Sequence, residues 1–218
     1  MSDLGRVLAV CAVDGEVDLG RAGVSAIDKR PQPGRVAVGE LGLVTDHVCD
    51  TKHHGGHDQA VYAYEEAFAQ RWAHELGRDL PFGWFGENLR VDSLAVTDAV
   101  VGERWEIGPS GEPGTLLLET TIPRIPCRTF AAWAGEPQWV KRFMHRGDVG
   151  AYLRVVQPGT VAAGDEIRVI HRPDHGVTVR DLLTGTDADP LRALLARADL
   201  PAKVRREARR HLSRVAAD

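Results

Sequence analysis

The sequence predicts a mainly β protein with helices, a closed or nearly closed barrel followed by a helical tail. Short β-branched runs bounded by Gly, Pro and Asp recur at irregular spacing over residues 6–171, the pattern of a barrel of short strands. No GxGxxG follows a strand to open a helix, so nothing indicates a βαβ dinucleotide fold. Past Gly176 the apolar residues change to helical spacing.

The strand candidates, in order, are RVLAVCAV from Arg6, RVAV from Arg35, LGLVTDHV from Leu41 and AVYAY from Ala60. RWEIG from Arg104, TLLLETT from Thr115, AYLRVVQ from Ala151 and EIRVI from Glu166 follow. VVGERWEI and VAAGDEIRV share a turn feeding a strand, which reads as repeated turn chemistry and not as a duplicated domain. Phe68, Trp72 and Leu76 recur every fourth residue and share one helix face, with Gly77 as the stop. A second helix spans Pro137 to Arg146, with Trp139, Val140, Phe143 and Met144 on its buried side and Gly147 after it. In the tail, Thr178 and Asp181 form a capping-box pattern, Asp189 and Pro190 suit the next start, and Pro201 opens a third helix. The expected division is a barrel domain over 1–175 and a three-helix appendage over 176–218 that folds separately.

With 218 residues, 43% hydrophobic and 27% charged, the chain has enough apolar material for one full core. The net charge of -4 does not suit a nucleic-acid partner. Residues 187–218 carry a local excess of Lys and Arg, densest at Arg205, Arg206, Arg209 and Arg210, which reads as a solvated helix face. No run approaches the roughly 18 apolar residues of a membrane span, and the start does not read as a secretion signal, so a cytoplasmic location is expected. Cys11, Cys49 and Cys127 form no CxxC pair, so reduced thiols are expected, with Cys11 a core residue.

Three constellations carry chemistry. In TKHHGGHDQ, Gly55 and Gly56 let the backbone approach a ligand, while Lys52, His53, His54 and His57 offer donors to an anion beside Asp58. Adjacent His53 and His54 point to opposite sides of an extended chain, which disfavours a shared zinc ion. In FGENL, Glu87 and Asn88 either read a heterocycle or serve a turn. In PRIPCRTF, Arg124 and Arg128 flank Cys127 with positive charge that favours its thiolate, a nucleophile and soft metal ligand.

Taken in order, KHHGGHDQAVYAY, FGENL and PRIPC followed by GDVGAYLRVVQPG resemble the MOSC domain, named for the molybdenum cofactor sulfurase C-terminal region, and more closely its YiiM-like branch. The resemblance runs from SAIDKRP to the last helices and implies a MOSC-type β-barrel with a cleft for the molybdenum cofactor. It implies that Cys127 is the molybdenum ligand or, in a sulfurase-type reading, a persulfide carrier. Ser25, Lys29, His54, Gly55, Gly56, Glu87, Asn88 and Arg124 would line the cofactor site, and His54 or Asp58 would deliver protons. Gln59 stands where the family usually has Lys or Arg, and Ile122 where Gln commonly precedes PR. The activity implied is reduction of N-hydroxylated compounds such as 6-N-hydroxylaminopurine. With no flavin fingerprint or iron–sulfur cysteine set in the chain, electrons would come from a separate reductase. Pyridoxal phosphate is not expected. The rival reading is a non-redox carrier of sulfur or of the molybdenum cofactor.

Overall fold

The computed structural model describes residues 3–51, 54–108 and 114–215. The chain opens with strand β1, Leu4–Val13, which starts by alternating exposed and buried side chains and then runs buried on both faces. Short pieces follow: β2 (Val17–Asp18), β3 (Val24–Ser25), β4 (Lys29–Pro31), β5 (Val36–Gly39) and β6 (Gly42–Leu43). Then come β7 (Val61–Glu65), helix α1 (Glu66–Leu76), β8 (Leu89–Asp92), β9 (Arg104–Ile107) and β10 (Leu116–Pro123). Helices α2 (Arg128–Ala134) and α3 (Trp139–Arg146) precede β11 (Ala151–Gln157), β12 (Gly159–Val161) and β13 (Glu166–His171), and α4 (Asp181–Thr184), α5 (Ala188–Leu195) and α6 (Ala202–Val215) end the chain.

The main sheet has the order β13-β9-β10-β11-β7-β8-β1-β4, and β13 also pairs with β1. That extra pairing, Leu4 opposite Arg168, closes seven strands into a barrel and leaves β4 as a flap on β1. The pairing is antiparallel except between β7 and β8, where Ala63 lies opposite Leu89. The connection between those two strands carries α1, as a parallel crossover requires. The predicted strand runs appear in this architecture, which is the mainly β fold with helices expected from the sequence, except that of LGLVTDHV only Gly42–Leu43 is strand and the rest is turn and loop. Strands β2, β3, β4, β8 and β12 and helix α2 were not anticipated.

Two apolar clusters result. One fills the barrel with Val7, Val10, Leu89, Val91, Trp105, Ile107, Leu118 and Leu153. The other lies outside it, where α1, α2 and α3 stack Trp72, Phe130, Trp139 and Phe143 against Tyr62, Tyr64, Trp84 and Phe85. Helix α1 ends at Gly77 and α3 at Gly147, as their sequence predicts. Val140 does not join the buried face of α3: it is exposed, because Trp139 and Phe143 alone fill the contact.

The tail has no apolar core apart from that of the barrel. Leu182, Leu191, Leu194, Val204 and Ala208 belong to the same cluster as the barrel interior, which corrects the expectation drawn from charge and spacing. The capping box is present, with the Thr178 backbone N–H donating to Asp181 Oδ2 at 2.8 Å and the Asp181 N–H to Thr178 Oγ1 at 3.1 Å. Among the described residues no helix is long and apolar enough to cross a membrane.

Candidate functional site

A cleft of about 560 Å³ is walled by parts of three segments, residues 22–29, 41–60 and 124–129, together with Tyr62, Gly86, Asn88 and Tyr152. Its volume falls in the range of small-molecule sites. Cys127 sits in this wall, half-buried, in extended backbone at the N-cap of α2. The helix starts at Arg128, just past this extended residue, and the Phe130 N–H of its first turn, free of any partner within the helix, bonds the sulfur. Burial pushes the thiol up. A hydrogen bond with His54, the charge of Arg124 and the Phe130 backbone N–H outweigh it and bring Cys127 down to about 6. The sulfur is therefore a thiolate at neutral pH.

Arg124 is the second distinctive group. It is 7% exposed, and its Nη1 is buried without a hydrogen-bond partner among the described residues. The guanidinium is held 3.8 Å over the Phe130 ring and bonds to Tyr152. A buried cation with a free donor at a cleft wall is built to receive an anion or a polar oxygen.

The residues expected to line the site divide into two groups. Ser25, Lys29, His54, Gly55, Gly56, Asn88, Arg124 and Cys127 all border the cleft. Gly55 and Gly56 have φ of 71° and 79°, which a side chain would strain, and a Cβ at Gly55 would also sit 3.0 Å from the Val48 side chain. Lys29 reaches the cleft, but its ammonium is committed to Asp46 Oδ2 at 2.5 Å. The Asn88 amide, expected to read a ligand, is used internally: Oδ1 accepts the Tyr62 N–H at 3.0 Å, and Nδ2 donates to Asp46 Oδ2 at 2.7 Å and the Cys11 carbonyl at 3.2 Å. Its role is to fix the wall.

Glu87 and Asp58 do not border the cleft. Glu87 is fully buried and accepts the backbone N–H groups of Gly83 and Phe85 at 2.8 and 3.0 Å and the Arg90 guanidinium. It shapes the loop and cannot touch a ligand. Asp58 turns toward the tail, its Oδ2 accepting the Lys203 N–H at 3.0 Å at the start of α6, so it is no proton donor to the cleft. Lys52 and His53 lie outside the described residues. Cys11 is a core thiol pushed up to about 12 by burial, as its apolar run suggested.

Sequence reasoning missed Asp46, Tyr62, Tyr152 and Cys49. Asp46 gathers the Val13 N–H at 3.0 Å, the Lys29 ammonium and the Asn88 amide, tying three distant segments behind one wall. No local motif marks it, because its partners are far along the chain. Lys203 was also missed. Its ammonium donates to the Gly55 carbonyl at 3.1 Å and to Gln59 Oε1, so the tail brings a cation to the position where the sequence departs from the family pattern.

The model of the MOSC domain matches residues 50–168, more than half of the chain. The chain belongs to the MOSC domain family. Among individual relatives, this MOSC protein is 30% identical over 162 residues to the protein YiiM of Escherichia coli, covering 72% of this chain and 68% of that one. It is 28% identical over 158 residues to a protein of Gibberella moniliformis named a reductase, covering 71% of this chain but 27% of that longer one. The crystal structure of YiiM from Geobacillus stearothermophilus superposes with a TM-score of 0.74 at 22% identity, over 95% of this chain and 99% of that one, and bears on the fold. The chain is thus a YiiM-like MOSC protein, of a family associated with the molybdenum cofactor.

The residues present suit that group. An ionised thiolate is the ligand a soft transition metal takes, and the free Nη1 of buried Arg124 is a donor for an anionic substituent.

Proposed function

We propose that this protein is a molybdenum-dependent oxidoreductase that reduces N-hydroxylated compounds, such as 6-N-hydroxylaminopurine, with electrons from a separate reductase. The observation that carries this reading is Cys127, ionised at neutral pH and exposed to a ligand-sized cleft beside His54 and Arg124. Membership of the YiiM-like branch and a relative named a reductase support it. In this reading Cys127, Arg124 and the Gly55–Gly56 loop hold the cofactor, which supplies the two-electron chemistry.

The protein's own tasks are narrower. The reduction consumes two electrons and two protons, breaks the N–O bond and leaves an amine and water. His54 is the group placed to move a proton at the cleft, since its imidazole borders the cavity and bonds the Cys127 sulfur. Tyr62 and Tyr152, their rings packed together at 5.2 Å, border the cleft and add aromatic surface to the wall that would meet a planar base. Elemental analysis after expression with molybdate, beside turnover of 6-N-hydroxylaminopurine with a supplied reductase, tests the proposal. Wild type is expected to carry molybdenum and turn over, and Cys127→Ala to lose both. Equal metal in both proteins removes the ligand role. Metal-free protein with a cyanide-labile sulfur on Cys127 favours the sulfur-carrier reading.

A further inference from the structure

At the mouth of the same cleft a second set of metal-ligating side chains stands apart from Cys127. Glu16 lies in the turn after β1, and His47 and Cys49 lie in the loop after β6. One ligand atom from each lies within 4.8 Å of the other two, with His47 Nε2 2.9 Å from a Glu16 carboxylate oxygen. The Glu16 carboxylate also contacts the Cys49 thiol. All three side chains are exposed, and His47 and Cys49 border the cleft.

We propose that Glu16, His47 and Cys49 bind a zinc-class divalent cation at the cleft mouth, with the fourth position open to the cleft. A sulfur, an imidazole nitrogen and a carboxylate oxygen form the mixed donor set that zinc takes, and three protein ligands leave one place for water or a ligand. The two loops are brought together in advance. Asp46, next to His47, accepts the Val13 N–H at 3.0 Å three residues before Glu16, and its other oxygen is locked by Lys29 and Asn88. The ligand atoms therefore meet without ordering a flexible segment, which lowers the cost of binding. On binding, the cation takes the place of the Cys49 proton, which leaves to solvent, and replaces the contact between His47 and Glu16. The bound ion clamps the turn at 16 to the loop at 47–49 and sets the width of the cleft entrance.

Titration of the full chain with Co²⁺, then competition by Zn²⁺, reads the site directly. Wild type and Cys127→Ser are both expected to bind one equivalent with tetrahedral ligand-field bands and a sulfur-to-cobalt charge-transfer band. Cys49→Ser should lose the charge-transfer band, and His47→Ala and Glu16→Gln should each weaken binding by about tenfold or more. Because these side chains are exposed, the variants should keep the wild-type circular dichroism. Bands that persist in Cys49→Ser, bands lost in Cys127→Ser, or six-coordinate spectra throughout would overturn the proposal. The Cys127→Ser arm keeps its failure distinct from failure of the molybdenum reading.

Discussion

At the scale of single residues, the site depends on how burial and partners compete at each polar atom. At Cys127 the partners win. Since the thiolate is the nucleophile, the alkylation rate of Cys127 should climb as pH rises through about 6 and level off above it. Measured with iodoacetamide in a Cys49→Ser background, the midpoint in His54→Ala should move upward, toward the ordinary 9.0, because burial then faces fewer opposing groups. A midpoint that stays put would remove His54 from the control of this sulfur. Asp46 shows the same competition from the other side. Asp46→Ala strands the Lys29 ammonium, which is 8% exposed, along with the Val13 N–H and one donor of Asn88. Removing one partner of a buried pair typically costs about 3 to 5 kcal/mol, so urea unfolding should show a loss of that order.

At the scale of elements, the loop from Gly83 to Asn88 is a rigid insert between α1 and β8. Glu87 holds it from within by accepting the Gly83 and Phe85 amides. Gly83 has φ of 89°, and a Cβ there would sit 2.1 Å from the Lys29 carbonyl oxygen. Gly83→Ala should therefore cost about 2 kcal/mol or more through strain and displacement of β4, read as a lowered Tm. The strands legible in the sequence were those carrying an apolar, β-branched or aromatic run, β1, β5, β7, β9, β10, β11 and β13, and the helices α1 and α3 showed a full period. Lys29–Pro31 and Leu89–Asp92 interrupt their short runs with Lys, Arg, Pro or Asp, and they become strands through their neighbours, β1 beside both and β7 beside the second. Helix α2 is a seven-residue element whose start at Arg128 follows closely on Pro123 and Pro126. The site constellations were legible as groups, but not the direction each side chain takes. Asp58 faces Lys203, which is 145 residues away, and Asn88 faces Asp46 and Tyr62, pairings that no local spacing reveals.

At the scale of the whole molecule, barrel and tail share one interior. Deleting residues after Gly176 removes Leu182, Leu191, Leu194, Val204 and Ala208 from that cluster and uncovers the apolar side chains they pack on. The truncated chain is expected to lose its cooperative unfolding transition and collect in the insoluble fraction; a soluble fragment with an unchanged Tm would show that the shared interior contributes nothing. The seam between β1 and β13 has a further effect on how the chain reaches this state. Leu4 pairs with Arg168, so the first strand made must wait for nearly the last before the ring can shut. Until then β1 offers a bare edge of unpaired amides, and contacts this far apart in sequence form slowly. A nascent chain stalled before residue 166 should therefore bind holdase chaperones, and one extended past the seam should escape them.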